Sequence, residues 1–144
     1  MTIPLSIGAD HGGYLLREAL LQGLPDYTFI DHGTHSPQSV DYPDYARLVG
    51  QDILEGKAKL GVLICTSGIG ISIAANKIKG IRAALVYNED GAYFARLHND
   101  ANVICFGQKY ITPYLAIKFL KTFIITPFEG GRHLKRLAKL EPSS

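Results

Sequence analysis

Five short apolar runs, each closed by polar or glycine-containing residues, limit what this chain can fold into. Ile3–Gly8, Tyr27–Asp31, Leu60–Ile64, Ala83–Tyr87 and Asn102–Phe106 read as strands. Between them, Tyr14–Gln22, Asp44–Leu54, Ile71–Lys77, Asp90–Leu97 and Pro113–Phe123 carry helical periodicity, and a last helical piece runs from about Gly131 to Leu140. In the first of these, Leu15, Leu16, Ala19 and Leu20 share one face. Apolar runs without polar alternation mark strands covered on both faces, as parallel strands are. Crossovers between parallel strands are right-handed and put helices on both sides of the sheet. The expectation is a three-layer α/β/α, Rossmann-like domain with a five-stranded parallel sheet and a C-terminal helix. At 144 residues, one domain over 1–144 accounts for the whole sequence.

Charge and cysteine usage remove several classes of function. Fifteen basic against 13 acidic residues give a net charge of +2, too small a bias for nucleic-acid binding, and no dense basic run occurs. The start, Met1-Thr2-Ile3-Pro4-Leu5, lacks the basic head and long apolar middle of a secretion signal. No apolar run reaches membrane-spanning length. Two cysteines, Cys65 and Cys105, indicate no disulfide framework and suit a reducing compartment. A cytoplasmic chain without membrane or nucleic-acid partners is expected.

In an open parallel sheet, ligands bind beyond the carboxyl ends of the strands. The residues there are Asp10-His11-Gly12-Gly13, Asp31-His32-Gly33-Thr34, Cys65-Thr66-Ser67-Gly68-Ile69-Gly70, Asn88-Glu89-Asp90 and Gly107-Gln108-Lys109. The Cys65–Gly70 stretch is the most pointed, because a thiol at a strand end meets a turn that opens a helix. Unpaired amides and the positive end of the helix dipole favour an anion there, and the same field favours thiolate. The competing reading is a buried structural cysteine. Asp10 and His11 suit proton transfer and phosphate binding, or else Asp10 caps the next helix and His11 is solvated. Arg132 and Arg136 lie four apart, so on a helix they form either a phosphate clamp or a solvated basic face. Gly33–Pro43 is long enough for a functional loop. His32-x-x-His35 is the closest histidine pair, and with no convincing zinc spacing in the sequence no metal is expected. Cys105, between Ile104 and Phe106, reads as core, and Lys77 as solvated as readily as site-facing.

Taken together, these segments resemble the B-type ribose-5-phosphate isomerases and the wider family that includes galactose-6-phosphate isomerase subunits. The matching stretches are Gly8–Gly13, Asp41-Tyr42-Pro43, Cys65–Lys77, Gly80–Ala83, His98–Val103, Phe106-Gly107 and Glu129-Gly130-Gly131-Arg132-His133, in family order. The resemblance implies interconversion of ribose 5-phosphate and ribulose 5-phosphate through a cis-enediolate, without metal or organic cofactor. It implies that Cys65 moves the carbon-bound proton, that the turn amides after Ser67 hold the oxyanion, and that His98, with Asp10 or Asp41, opens the sugar ring. Phosphate and sugar contacts would come from His11, Asp41, Tyr42, Thr66, Gly68, Ile69, Gly70, Asn99, Lys109, Arg132 and Arg136. A homodimer with active sites shared between subunits, His98 and Asn99 reaching across, is also implied. Two departures stand out: Cys65-Thr66-Ser67-Gly68 where many relatives read Cys-Gly-Thr-Gly, and Lys109 where arginine is frequent. Two alternatives stay open: an isomerase of six-carbon sugar phosphates, and a phosphosugar-binding module without catalysis.

Overall fold

The computed structural model describes residues 4–141. Strands β1 (Leu5–Ala9), β2 (Phe29–Asp31), β3 (Leu60–Cys65), β4 (Ala83–Leu85) and β5 (Val103–Gly107) form one sheet in the order β2-β1-β3-β5-β4. Every pairing is parallel. The helices are α1 (Tyr14–Gly23), α2 (Tyr42–Leu54), α3 (Ile69–Asn76), α4 (Glu89–Leu97), α5 (Pro113–Ile125) and α6 (Leu134–Ala138). Helices α2 and α3 cover one face of the sheet, and α1, α4 and α5 the other. The three-layer α/β/α arrangement and the five-stranded parallel sheet are therefore as the apolar runs indicate.

Two cores result, one on each face. Ile7, Ala9, Val62, Ile64, Ile104 and Phe106 meet Leu16, Leu20, Ala92, Leu120 and Phe123 on the α1/α4/α5 side. Leu63, Cys65, Val103 and Cys105 meet Val49, Ile71 and Ala75 on the α2/α3 side. The central strands β1, β3 and β5 are buried at every position, which is why they show no polar alternation. Cys105 is fully buried, and burial pushes its thiol pKa up, so it is core as expected.

Element ends differ from expectation where the sheet runs out of partners. Strands β2 and β4 are edges of three residues each, so Tyr27-Thr28 and Val86-Tyr87 fall outside them. Helix α2 begins at Tyr42 rather than Asp44, because Pro43 is well placed in a first helical turn. Helix α3 begins at Ile69, two residues early. The C-terminal piece is not one helix: a 3₁₀ turn, Gly131–His133, precedes α6. Ile3, expected to start the first strand, lies outside the described residues. Among the described residues, no helix is long and apolar enough to cross a membrane.

Candidate functional site

The carboxyl edge of the sheet is assembled by the loops after β1, β3 and β5, which approach to backbone contact. A Cβ on Gly12 would fall 1.9 Å from Thr66 Oγ1, and one on Gly107 would fall 2.3 Å from the Ser67 carbonyl oxygen. Gly68 has φ +79°, a left-handed conformation that lets the chain turn from β3 into α3. The turn is held from two further sides. The Lys109 N–H donates to the Thr66 carbonyl at 3.1 Å, and the Tyr87 hydroxyl to the Ser67 carbonyl at 3.0 Å. Gln108 Oε1 accepts the Leu16 N–H at 2.9 Å, tying the β5 loop to the first turn of α1.

Inside this knot, Cys65 is 5% exposed and its Sγ accepts the Gly68 N–H at 3.2 Å. Ser67 Oγ accepts the Ile69 N–H at 3.1 Å. The first amides after Ser67 are thus engaged locally, one of them on the sulfur itself. The next two, of Gly70 and Ile71, have no intrahelical acceptor because they belong to the first turn of α3. The Tyr42 ring packs over Gly70, where a Cβ would lie 2.7 Å from the tyrosine Cζ, and this leaves Tyr42 partly exposed beside the turn.

Asp10 is 5% exposed and accepts the Gly12 N–H at 2.9 Å. Burial raises its pKa above the usual carboxylate range, although the Gly12 amide and the nearby His11 partly offset that. It braces its own loop rather than capping α1, whose N-cap is Gly13 with no side-chain cap bond. His11 Nδ1 accepts the Val40 N–H at 3.2 Å, so the neutral ring carries its proton on Nε2. Asp41 is exposed at the N-cap of α2 and makes no side-chain cap bond there. Thr66, Ile69 and Lys109 are exposed around the same edge.

Behind His11 lies a support that sequence reading missed. Arg17, on α1, is 1% exposed, with Nε donating to the Thr34 carbonyl at 3.0 Å and NH1 to Asp31 Oδ2 at 2.7 Å. Its second amino group reaches Glu18 Oε1 at 3.0 Å and lies 3.3 Å from His35 Nδ1. One buried guanidinium thereby fixes the start of the Gly33–Pro43 loop. On the opposite face of the sheet, Asp52 accepts from Ser6 Oγ at 2.7 Å and contacts His32 Nε2 at 2.6 Å. Burial pushes Asp52 up, but the His32 and Ser6 hydrogen bonds outweigh it and its pKa is lowered. An arginine inside an amphipathic helix and a serine inside a strand carry no signal of partners tens of residues away.

His98, Asn99, Arg132 and Arg136 lie elsewhere. Helix α4 leaves β4 at the carboxyl edge and runs roughly 13 Å back before His98 closes it. His98 therefore sits toward the amino edge, and a single chain does not bring it to Cys65. Arg82 Nε donates to the Asn99 and Asp100 carbonyls at 3.2 and 3.0 Å. Arg96 NH1 donates to Asp100 Oδ1 at 2.8 Å, so the His98-Asn99-Asp100 loop is tied by two arginines. The His98 ring stacks on that of His133, centroids 4.4 Å apart and planes 22° apart. Glu129 Oε2 lies 2.9 Å from His133 Nε2, 4.0 Å from His98 Nε2 and 3.6 Å from Arg132 NH1. Arg132 belongs to the 3₁₀ turn and Arg136 to α6, both exposed.

The sequence matches, over residues 5–140, a family described as Ribose/Galactose Isomerase. A relative from Rickettsia bellii, named a putative sugar phosphate isomerase, is 44% identical over 142 residues, covering 97% of this chain and 99% of the relative. The crystal structure of a ribose 5-phosphate isomerase from Thermotoga maritima superposes with a TM-score of 0.95 at 44% identity, over 97% of this chain and 98% of the other. A ribose-5-phosphate isomerase B from Mycoplasma genitalium, solved with bound ribulose-5-phosphate, gives a TM-score of 0.90 at 38% identity, covering 97% and 95%.

Proposed function

The chain belongs to the ribose/galactose isomerase family, and from that premise we propose that it interconverts ribose 5-phosphate and ribulose 5-phosphate. The observation that carries this reading is the Cys65–Gly68 turn. It offers a sulfur with an amide donor on it, free first-turn amides of α3 beyond it, and a buried carboxyl, Asp10, in the neighbouring loop.

The chemistry follows from what an aldose–ketose exchange needs. Once the ring is open, the Cys65 thiolate takes the proton from C2 of the aldose, and the electron pair forms the C1–C2 double bond of a cis-enediolate. Charge collects on the carbonyl oxygen, where preorganised amides are most effective. The same thiol returns the proton to C1, while a proton passes between the two oxygens. Asp10 suits that transfer, because burial raises its pKa towards the range in which a carboxyl both gives and accepts a proton. His11 and the exposed arginines Arg132 and Arg136 suit the phosphate, and Asn99 a sugar hydroxyl. Ring opening falls to His98.

Because His98 and Cys65 occupy opposite edges of the sheet, a working site needs a second copy of the chain. The reading therefore includes a homodimer in which His98, Asn99, Arg132 and Arg136 of one subunit complete the Cys65 turn of the other. The ribulose-5-phosphate bound to the Mycoplasma genitalium protein favours a five-carbon substrate.

Cys65→Ala in the full-length protein tests the assignment. Turnover should fall by about 10²–10⁴-fold or more, while binding of ribose 5-phosphate, measured by calorimetry, persists. An active variant places the base elsewhere. A higher kcat/KM for allose 6-phosphate than for ribose 5-phosphate would overturn the choice of pentose.

A further inference from the structure

His98, Glu129 and His133 each offer a donor atom, and these atoms all lie within 4.8 Å of one another. Glu129 and His133 lie four apart, but no spacing in the sequence joins them to His98. We propose that the three side chains bind a divalent transition-metal ion of the zinc class, and that the bound ion silences the enzyme by occupying His98. The second half rests on the ring-opening role given to His98 above, whereas the metal site does not.

The donor set is the first reason. Two imidazole nitrogens and one carboxylate oxygen suit zinc, with a fourth position left for water or an incoming oxygen. The distances are the second. Bonds of ~2.0–2.1 Å in a tetrahedral site place donors about 3.3 Å apart. Glu129 Oε2 is 2.9 Å from His133 Nε2 and 4.0 Å from His98 Nε2, so these two spacings need shifts of about 0.4 and 0.7 Å, and the third, at most 4.8 Å, needs one of up to about 1.5 Å. Both Nε2 atoms already lie within 4.0 Å of one carboxylate oxygen, and the rings, stacked with planes 22° apart, turn out of the stack to aim both nitrogens at one ion.

The frame is also fixed. The Glu129 N–H donates to the Leu97 carbonyl at 2.9 Å, that of His133 to Gly130 at 3.2 Å, and that of His98 to Phe94 at 3.0 Å. His98 is the C-cap of α4, where the negative end of the helix dipole favours a cation. His133 is buried, whereas the His98 and Glu129 side chains are 33% and 42% exposed, which gives an ion a way in. One group opposes binding. Arg132 NH1 stands 3.6 Å from the same Glu129 oxygen, but its side chain is 60% exposed and free to swing into solvent.

The test titrates metal-stripped, full-length protein with Zn²⁺ by calorimetry and with Co²⁺ by visible absorption. About one ion per chain is expected. Glu129→Gln, an isosteric change on an exposed side chain, and His133→Asn should each weaken it by at least the ~10–100-fold that even outer-shell changes cost. A His32→Asn/His35→Asn double variant should bind like the parent chain. Equal affinity in the parent and Glu129→Gln, as when Cys65 or surface histidines take the ion, overturns the site. Zn²⁺ should also inhibit turnover reversibly by chelator, and Glu129→Gln should resist inhibition. Tight binding at these residues with turnover untouched would uphold the metal site and overturn its link to His98.

Discussion

The two edges of the sheet are built on different principles. At the carboxyl edge the site is largely backbone: glycines let three loops touch, amides point at sulfur and hydroxyl oxygen, and Cys65 and Asp10 are each 5% exposed. At the amino edge the site is side chain: stacked imidazoles, a shared carboxylate and exposed arginines. The first arrangement is fixed by folding, because moving any piece would break the sheet's own connections. The second is half open to solvent. A reaction that needs a rigid proton-transfer centre and an adaptable grip on a flexible, charged substrate is well served by that division.

The largest effect that would break this comparison comes from the amino edge. His98→Asn should lower turnover on ribose 5-phosphate, which is mostly closed-ring, by ~10²-fold or more, and should spare an acyclic aldose analogue in steady-state kinetics. Equal losses on both would mean that the open edge shares in the proton transfer itself.

Next come the glycines of the carboxyl edge. Gly107→Ala drives a Cβ into the Ser67 backbone, which has no side chain to move aside. It should cost about 1–3 kcal/mol in denaturant titration and activity as well. Gly12→Ala meets chiefly the Thr66 hydroxyl, so adding Thr66→Gly should recover most of its loss. If that double variant is no better than Gly12→Ala, the loops are not packed through that hydroxyl.

Arg17→Met should match the upper end of that range. It leaves the Thr34 carbonyl and the Asp31 carboxylate without their buried partner, at a cost of about 3 kcal/mol, read as a fall in Tm. A Tm unchanged by the substitution would remove Arg17 as the anchor of the loop beside His11.

The smallest effects, about 1–2 kcal/mol, concern two buried aspartates with opposite signs. Asp52 has a lowered pKa. Its stabilisation is complete above the unfolded carboxylate pKa and is lost as pH falls through the folded value. Asp52→Asn should therefore lower Tm at neutral pH, with the difference closing in acid. Asp10 has a raised pKa, so its ionised form costs stability, and that cost is complete above the folded value and disappears below the unfolded one. Asp10→Asn keeps an acceptor for the Gly12 amide and should raise Tm at neutral pH while slowing turnover. If both substitutions shift Tm in the same direction, Asp10 is a structural brace rather than a strained functional group.

Much of the carboxyl edge could be read from the residues directly. A thiol followed by a glycine turn and a helix start is local chemistry, and the rule that ligands gather beyond parallel strand ends gave its place. The engagement of the Gly68 amide by the sulfur was not legible, because it depends on the left-handed φ of a single residue. Helices α2 and α3 begin at Tyr42 and Ile69, two residues before their periodicity indicates, where a proline or a glycine pair admits an earlier start. The amino edge was the least legible part. Glu129 and His133 are neighbours in the stretch Glu129-Gly130-Gly131-Arg132-His133, but their meeting with His98 joins residues about thirty positions apart.

What the sequence determined by itself is the layer pattern and the place of the Cys65–Gly70 turn at a strand end, because strand burial and turn chemistry are set by residues a few positions apart. Only the tertiary structure decided which residues share a side of the molecule and what surrounds them: that Arg17 is the hidden anchor of a distant loop, that burial raises the pKa of Asp10 while hydrogen bonds lower that of Asp52, and that Cys65 and His98 stand on opposite edges. Those outcomes follow from how far each helix runs before the chain turns back, and from which buried group meets a donor. A linear reading does not carry such long-range distances.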